Sequence, residues 1–470
     1  MALRDRQAGR RGDRAREREW ERSPARIFRP RLPAGRWLIL EGLVRLAPSD
    51  KDLSVMGVTG EDLVEIRAGM KPGDPSVITV NCPDKTGLGC DICRIILEFG
   101  LRITRGDVST DGRWCYVVLW VVPRSSSTKI RWTSLKNRLL SECPTCPIPF
   151  YHDLVDPTTS QMYLLKLFSA DRKGLLHDVT QVLSDLDLLI HRVKVSTTPD
   201  GRVIDLFFIT DGLELLHTRK RQDDTCERLH TVLGESCISC EIQLATNFQQ
   251  GFSSIPPAVA EELFRPELSD SEICLQTLRP DLAKLKKPSV TIDNSLSPSH
   301  TLLQIHCADQ RGLLYDILRT LKDCNLQIAY GRFMSDQKGY REVDLFILQC
   351  DGKKILDPEK QSALCSRLRQ EMLHPLRVMI VNRGPDSELL VANPVELSGK
   401  GRPLVFFDVT RALKDLGICI FSAEIGRHTA SERQWEVYRF LLDDSLEFPL
   451  ANARARSQVV GRVRRTLMGW

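Results

Sequence analysis

Three copies of one eight-residue pattern limit what this chain can fold into. The stretch Asp309-Gln310-Arg311-Gly312-Leu313-Leu314-Tyr315-Asp316 follows the apolar run Leu302-Leu303-Gln304-Ile305-His306-Cys307 and opens an amphipathic run reaching about Asp323. The same unit stands at Asp171-Arg172-Lys173-Gly174-Leu175-Leu176-His177-Asp178 and at Asp84-Lys85-Thr86-Gly87-Leu88-Gly89-Cys90-Asp91. An apolar run, a small residue and then apolar residues at helical spacing read as strand, tight turn and helix. A pattern that returns three times makes this a repeat protein.

Each copy carries the same continuation. In the first, strand 77–80 and helix 87–99 lead to two strands joined by a turn at Asp111-Gly112, then a helix over about 132–141 and a closing strand near 148–152. The second and third follow the same order and close with strands at about 237–244 and 376–381. The order β-α-β-β-α-β is the split-βαβ, ferredoxin-like unit. A fourth copy diverges. Aligning Asp408 with Asp316 puts Gly401 where the others have Asp and Leu404 where they have Gly, and its last strand is missing. That leaves a sheet edge in need of cover. The reading is an α+β chain with repeats at 71–155, 160–245, 300–383 and 386–470, a Pro-punctuated linker at 246–299 and a disordered Arg-rich extension at 1–70. The repeats pair within the chain into two sheets, or between chains.

The chemistry lies in the strand-to-helix turns. Gly87, Gly174 and Gly312 stand where the backbone bends sharply or approaches another group closely. The helix that comes next presents unpaired N–H groups suited to an anion. Asp84, Asp171 and Asp309, three residues upstream, either hold an ammonium group or fix the turn through their own backbone. Carboxylate and ammonium together describe a free amino acid. Asp91, Asp178 and Asp316 fall in the first helical turn, where negative charge is favoured, and read as stability residues.

Composition removes other function classes. Residues 1–50 hold 13 Arg against 7 acids, a surplus of +6, so the formal +5 of the whole chain leaves 51–470 at −1. The repeats therefore lack the basic excess of a nucleic-acid binder. No apolar run reaches the ~20 residues of a membrane span. Residues 1–55, with Pro24, Pro30, Pro33 and Pro48, are expected to be disordered; their acids argue against a transit peptide. Fifteen cysteines without a signal peptide indicate free thiols in a reducing compartment, the cytoplasm with the nucleus as alternative. Cys90 and Cys93, Cys143 and Cys146, and Cys237 and Cys240 lack the four converging ligands of a zinc site. His177 and His191 read as surface or packing residues, and Arg219-Lys220-Arg221 as a solvated loop. No phosphate loop, dinucleotide fingerprint or catalytic cluster appears. The chain is therefore read as no enzyme, with no cofactor and no metal.

The three turns in their β-α-β-β-α-β setting resemble ACT domains, the small regulatory modules that bind amino acids. Four in one chain without a catalytic domain resembles the plant ACT-domain repeat proteins, over about residues 70–470. The segment Gly417-Ile418-Cys419-Ile420-Phe421-Ser422-Ala423-Glu424-Ile425-Gly426 adds to the likeness. The resemblance implies a regulatory protein that binds free amino acids, glutamine among them, and signals to a protein partner or through a homodimer. Ligand then sits where two modules meet. The contacts carried over are Asp84, Gly87 and Leu88; Asp171, Gly174 and Leu175; and Asp309, Gly312 and Leu313. The fourth repeat departs at both key positions and is expected to bind nothing and to serve as a pairing partner. The alternative is an interaction scaffold whose turns are purely structural.

Overall fold

Alternation of apolar side chains builds sixteen strands, and helical spacing builds nine helices, among the described residues. The computed structural model describes residues 63–71, 73–124, 130–144, 161–245, 255–265, 288–336, 339–396, 398–430, 433–443, 450 and 452–469. The chain divides into units Met1–Val58 and Thr59–Trp470, and all the described residues belong to the second. The expected disorder of 1–55, Cys146 and the closing strand near 148–152 lie outside the described residues.

The first repeat consists of β1 (Val64–Arg67), β2 (Ser76–Pro83), α1 (Leu88–Glu98), β3 (Leu101–Thr110), β4 (Trp114–Pro123) and α2 (Trp132–Glu142). The second consists of β5 (Tyr163–Ala170), α3 (Leu175–Asp185), β6 (Leu188–Thr197), β7 (Arg202–Asp211), α4 (Arg219–Leu233) and β8 (Cys237–Leu244). A linker helix α5 (Pro257–Phe264) precedes the third: β9 (Ser289–Asp293), β10 (Thr301–Ala308), α6 (Leu313–Asp323), β11 (Leu326–Ser335), β12 (Tyr340–Gln349) and α7 (Pro358–Leu373). The fourth has β13 (Arg377–Arg383), β14 (Asp386–Pro394), α8 (Val405–Asp415), β15 (Ile420–Ala430), β16 (Arg433–Leu442) and α9 (Ala453–Met468).

The repeats pair one with three and two with four. One antiparallel sheet runs β1-β2-β4-β3-β11-β12-β10-β9, the other β13-β14-β16-β15-β6-β7-β5-β8. Equivalent strands meet at each seam. Arg332 faces Asp107 at the centre of the first and donates to it at 3.0 Å; Glu424 faces Lys194 in the second. Two strand glycines allow the first seam to close. Gly106 lies opposite Phe333 and Gly331 opposite Val108, and a Cβ on Gly106 would collide with the Phe333 ring. Each pair shares one continuous core: Ile95, Leu119, Leu321 and Leu345 belong to one, Leu183, Phe207, Leu413 and Phe440 to the other.

The outer strands depart from the sequence order. β13, assigned from the sequence to the third repeat's own sheet, pairs with β14 in the other sheet. Only Gly384-Pro385 separates the two strands, with Gly384 at φ 68, so a local hairpin keeps them together. The place beside β10 goes to β9, a strand expected within the linker. The place beside β2 goes to β1, whose residues 64–67 the sequence assigns to the disordered extension; pairing with residues 77–80 orders them. No strand follows α9 among the described residues of the fourth repeat, and β13 supplies the cover its edge requires. α5 lies on the outer face of β14 and β16, where Ile255 and Leu263 pack with Leu390, Trp435 and Val437. Arg219-Lys220-Arg221 is not a loop. Thr218 caps α4 by accepting from the Arg221 N–H, and Arg221 pairs with buried Asp211 at 3.1 Å. A Thr N-cap was the missed signal.

Candidate functional site

The four strand-to-helix turns share one backbone. Gly87 has φ 82, Gly174 and Gly312 have φ 76, and Leu404 has φ 63. A side chain in this left-handed region costs about 1 kcal/mol relative to glycine, so the fourth repeat keeps the bend at a penalty.

The upstream aspartates hold their own repeats together. Asp84 accepts from Thr110 at 2.6 Å, and Asp309 accepts from Ser335 at 3.1 Å. Burial raises the Asp84 carboxyl above its ordinary range against that hydrogen bond. Asp309 is also gripped by Arg341, whose Nη2 lies 2.9 Å from both carboxylate oxygens. Asp171 is an exposed residue whose carboxyl is only partly desolvated, and that partial desolvation raises its pKa. Below it, Asp205 of β7 is fully buried, and neither carboxylate oxygen has a hydrogen-bond partner among the described residues. Its carboxyl is pushed up to about 7 by burial, with Asp171 adding to the shift. By strand register Asp205 occupies the position of Val117 and Val343 in the sister repeats.

The first-turn aspartates do more than favour a helix dipole. Each takes a cation from another repeat. Asp91 receives Lys322 at 3.2 Å, and Asp178 receives Lys414 at 2.5 Å. Asp316 receives Arg402 at 3.5 Å, while Asp408 receives Arg124 at 2.8 Å together with Arg311. Burial pushes the Asp316 carboxyl up to about 6, against the pull of Arg402 and Arg319. Lys322 also bonds Glu396 at 3.0 Å, and Glu396 accepts from the Tyr315 hydroxyl at 2.8 Å. Sequence reasoning could not find these partners, because each lies in another repeat.

The same cations cover the glycines. A Cβ on Gly87 would stand 2.5 Å from Lys322, one on Gly174 2.8 Å from Lys414, and one on Gly312 2.6 Å from the Arg402 guanidinium. The junctions nevertheless differ in free space. At Asp171, Gly174 and Leu175 a cavity of about 20 Å³ remains, room for little more than one water. At Asp309, Gly312 and Leu313 a cavity of about 750 Å³ opens against Leu97, Gly100 and Leu101. A third, of about 220 Å³, lies beside Leu404 and is lined by Ser184 and His191.

One position explains the difference. Lys322 and Lys414 stand in the last turns of α6 and α8, and the equivalent positions of α1 and α3 are Leu97 and Ser184. In each pair a lysine closes one of two related junctions, and the other stays open.

The remaining sequence candidates take structural places. Cys90 and Cys93 are buried, and no described cysteine is in a disulfide. No group of three or more His, Cys, Asp or Glu among the described residues could hold a metal. No described helix is long and apolar enough to cross a membrane. His177 packs on the Phe407 ring at 5.0 Å, between repeats two and four. His191 meets Thr210 at 2.8 Å, and burial pushes its imidazole down to about 4.

Comparison with known proteins bears on this architecture. Residues 163–227 match the ACT domain, and 66–144 match the N-terminal domain of ACT domain-containing protein ACR10. Residues 289–386 match an ACR9-like, ACT-like domain, and 387–469 the C-terminal domain of ACR9. ACT domain-containing protein ACR9 of Arabidopsis thaliana is 62% identical over 420 residues, covering 88% of this chain and 100% of that protein. ACR10 of the same plant is 50% identical over 423 residues, covering 88% and 100%. A bifunctional uridylyltransferase/uridylyl-removing enzyme of Bradyrhizobium diazoefficiens is 26% identical over 208 residues, but these make up only 19% of that enzyme. With two relatives matched along their whole length and four repeats of the matching fold, the chain belongs to the ACT domain-containing ACR family.

Proposed function

We propose that this chain is a regulatory protein, not an enzyme, that binds a free amino acid at the junction of repeats one and three and signals to a protein partner in the cytoplasm. The carrying observation is the unequal state of two related junctions: Lys322 fills the one at Gly87, while about 750 Å³ stays open at Asp309, Gly312 and Leu313. That volume suits a small ligand. Ligand there touches α6, α1 and the fourth repeat at once. It would shift their packing by its differential affinity for the two arrangements. The turns at Asp84-Gly87-Leu88 and Asp171-Gly174-Leu175 are covered by lysine stems and come second as sites.

A scaffold without ligand is the competing reading, and one observation favours it: all three glycines are covered by cations from neighbouring repeats. Calorimetric titration of the full chain with the twenty amino acids separates the two. Heat from one or a few of them, lost in Leu97→Lys, supports binding at the open junction, because a lysine there repeats the plug that Lys322 forms at Gly87. No heat from any amino acid leaves the scaffold.

A further inference from the structure

The geometry points to an anionic ligand with at least two acid groups, a dicarboxylate or a phosphorylated small molecule, in the cavity beside Gly312. This rests on the reading that the open junction is a ligand site, and it narrows the ligand's chemistry. Seven arginines line the cavity against three aspartates. Asp309 is held by Arg341 and Asp415 by Arg462 at 2.6 Å, so neither carboxylate is free to take an ammonium group. Arg124 and Arg311 share the single carboxylate of Asp408. Arg102, Arg411 and Arg465 have no ion-pair partner among the described residues. Arg341 is 3% exposed, and its Nη1 is buried without a hydrogen-bond partner among the described residues.

Positive charge is thus in surplus around an open volume, and part of it is buried. Burial, with Arg124 and Arg402 nearby, pushes the Arg311 guanidinium down to about 10 even beside Asp408. Planar guanidinium groups meet carboxylate and phosphate oxygens in paired hydrogen bonds. A neutral zwitterion would bring its ammonium into this field, while a doubly acidic molecule would relieve it. The arginines come from β3, α8 and α9 as well as from the third repeat, so such a ligand would tie the end of the chain to the first pair.

The test is calorimetry on the full chain at fixed ionic strength. One series is succinate, glutamate and citrate; a second is phosphoserine and pyrophosphate; glutamine, leucine and inorganic sulfate are references. The expected result is that one acid series binds at least tenfold more tightly than glutamine and sulfate. The series that binds identifies the source as carboxylate or phosphate. Arg411→Gln and Arg465→Gln, both outside the core, should each weaken that binding about tenfold, with circular dichroism unchanged. Neutral amino acids binding as well as the acids, sulfate matching them, or variants without effect would overturn the inference while leaving an amino-acid site standing. Silence from every compound would remove both.

Discussion

The junctions at Gly87 and Gly312 begin from the same residues and end in different states. Both come after an apolar strand, both bend through a left-handed glycine, and both open a helix with an aspartate in its first turn. Around Gly87 the ammonium of Lys322 reaches Asp91 and Glu396, and its stem lies on the glycine. Around Gly312 the corresponding helix offers Leu97, which has no charge to send across, and the space stays open. Arg402 serves Asp316 from another direction, from the loop before α8, while donating to the Arg311 and Leu467 carbonyls. Equivalent backbones therefore do not make equivalent sites. One side chain on the facing helix decides whether the cradle is filled from within the protein or left open.

Substitutions put that contrast to the test. The largest effect is expected from Asp408→Asn, which leaves the Arg124 and Arg311 guanidiniums at the open junction without their carboxylate. The loss should be about 3–5 kcal/mol by urea denaturation, and less than 1 kcal/mol would show that the pair is relaxed by solvent. Asp205→Val should act in the opposite direction, because it restores the residue of the sister repeats and removes a buried carboxylate without partners. The Asp205 carboxyl titrates near 7 when folded and near 4 when unfolded, so the folded state binds the extra proton between those values. Wild-type stability from this group is present at low pH and lost as pH rises through about 7. The variant's gain should therefore be about 2–4 kcal/mol at pH 8 and fade toward pH 4. A pH-independent gain would mean that packing, not ionisation, is responsible.

Next comes the plug itself. Lys322→Leu leaves the Glu396 carboxylate buried with the Tyr315 and Ser398 hydroxyls and the Cys90 thiol but no paired cation, and should cost about 2–3 kcal/mol. It should also give the Gly87 side the openness now confined to Gly312, seen as a second ligand equivalent in titration. Gly312→Ala should cost about 2 kcal/mol and Gly87→Ala about 1 kcal/mol. Both strain a positive φ, but only the first drives a Cβ into a hydrogen-bonded guanidinium, whereas the second meets a flexible stem. Equal losses would show that the bend alone matters. Smallest of all, Lys414→Leu should cost under 1 kcal/mol, because that lysine is 42% exposed.

Much of the fold could be read from the chain because its signals are local. The Asp-x-x-Gly turns of the first three repeats, and the described strands and first helices around them, stand where their patterns place them. Misreadings arose where a local pattern had two partners to choose between. β13 had the makings of a closing strand for the third repeat, yet a two-residue hairpin gave it to the fourth. The aspartates at 91, 178, 316 and 408 were legible as helix-start residues but not as acceptors of charge from another repeat. Nothing within twenty residues of Gly312 announces Arg402 or the arginines of α9.

Sequence alone settled the unit, its number of copies and the bend that opens the first helix of three of them, since these depend on neighbours along the chain. The folded arrangement was needed to decide which repeats pair, which strand covers which edge and which of the matched turns keeps room beside it. Those outcomes depend on side chains brought together from hundreds of residues apart, where a lysine in place of a leucine closes a cavity without altering a single local pattern.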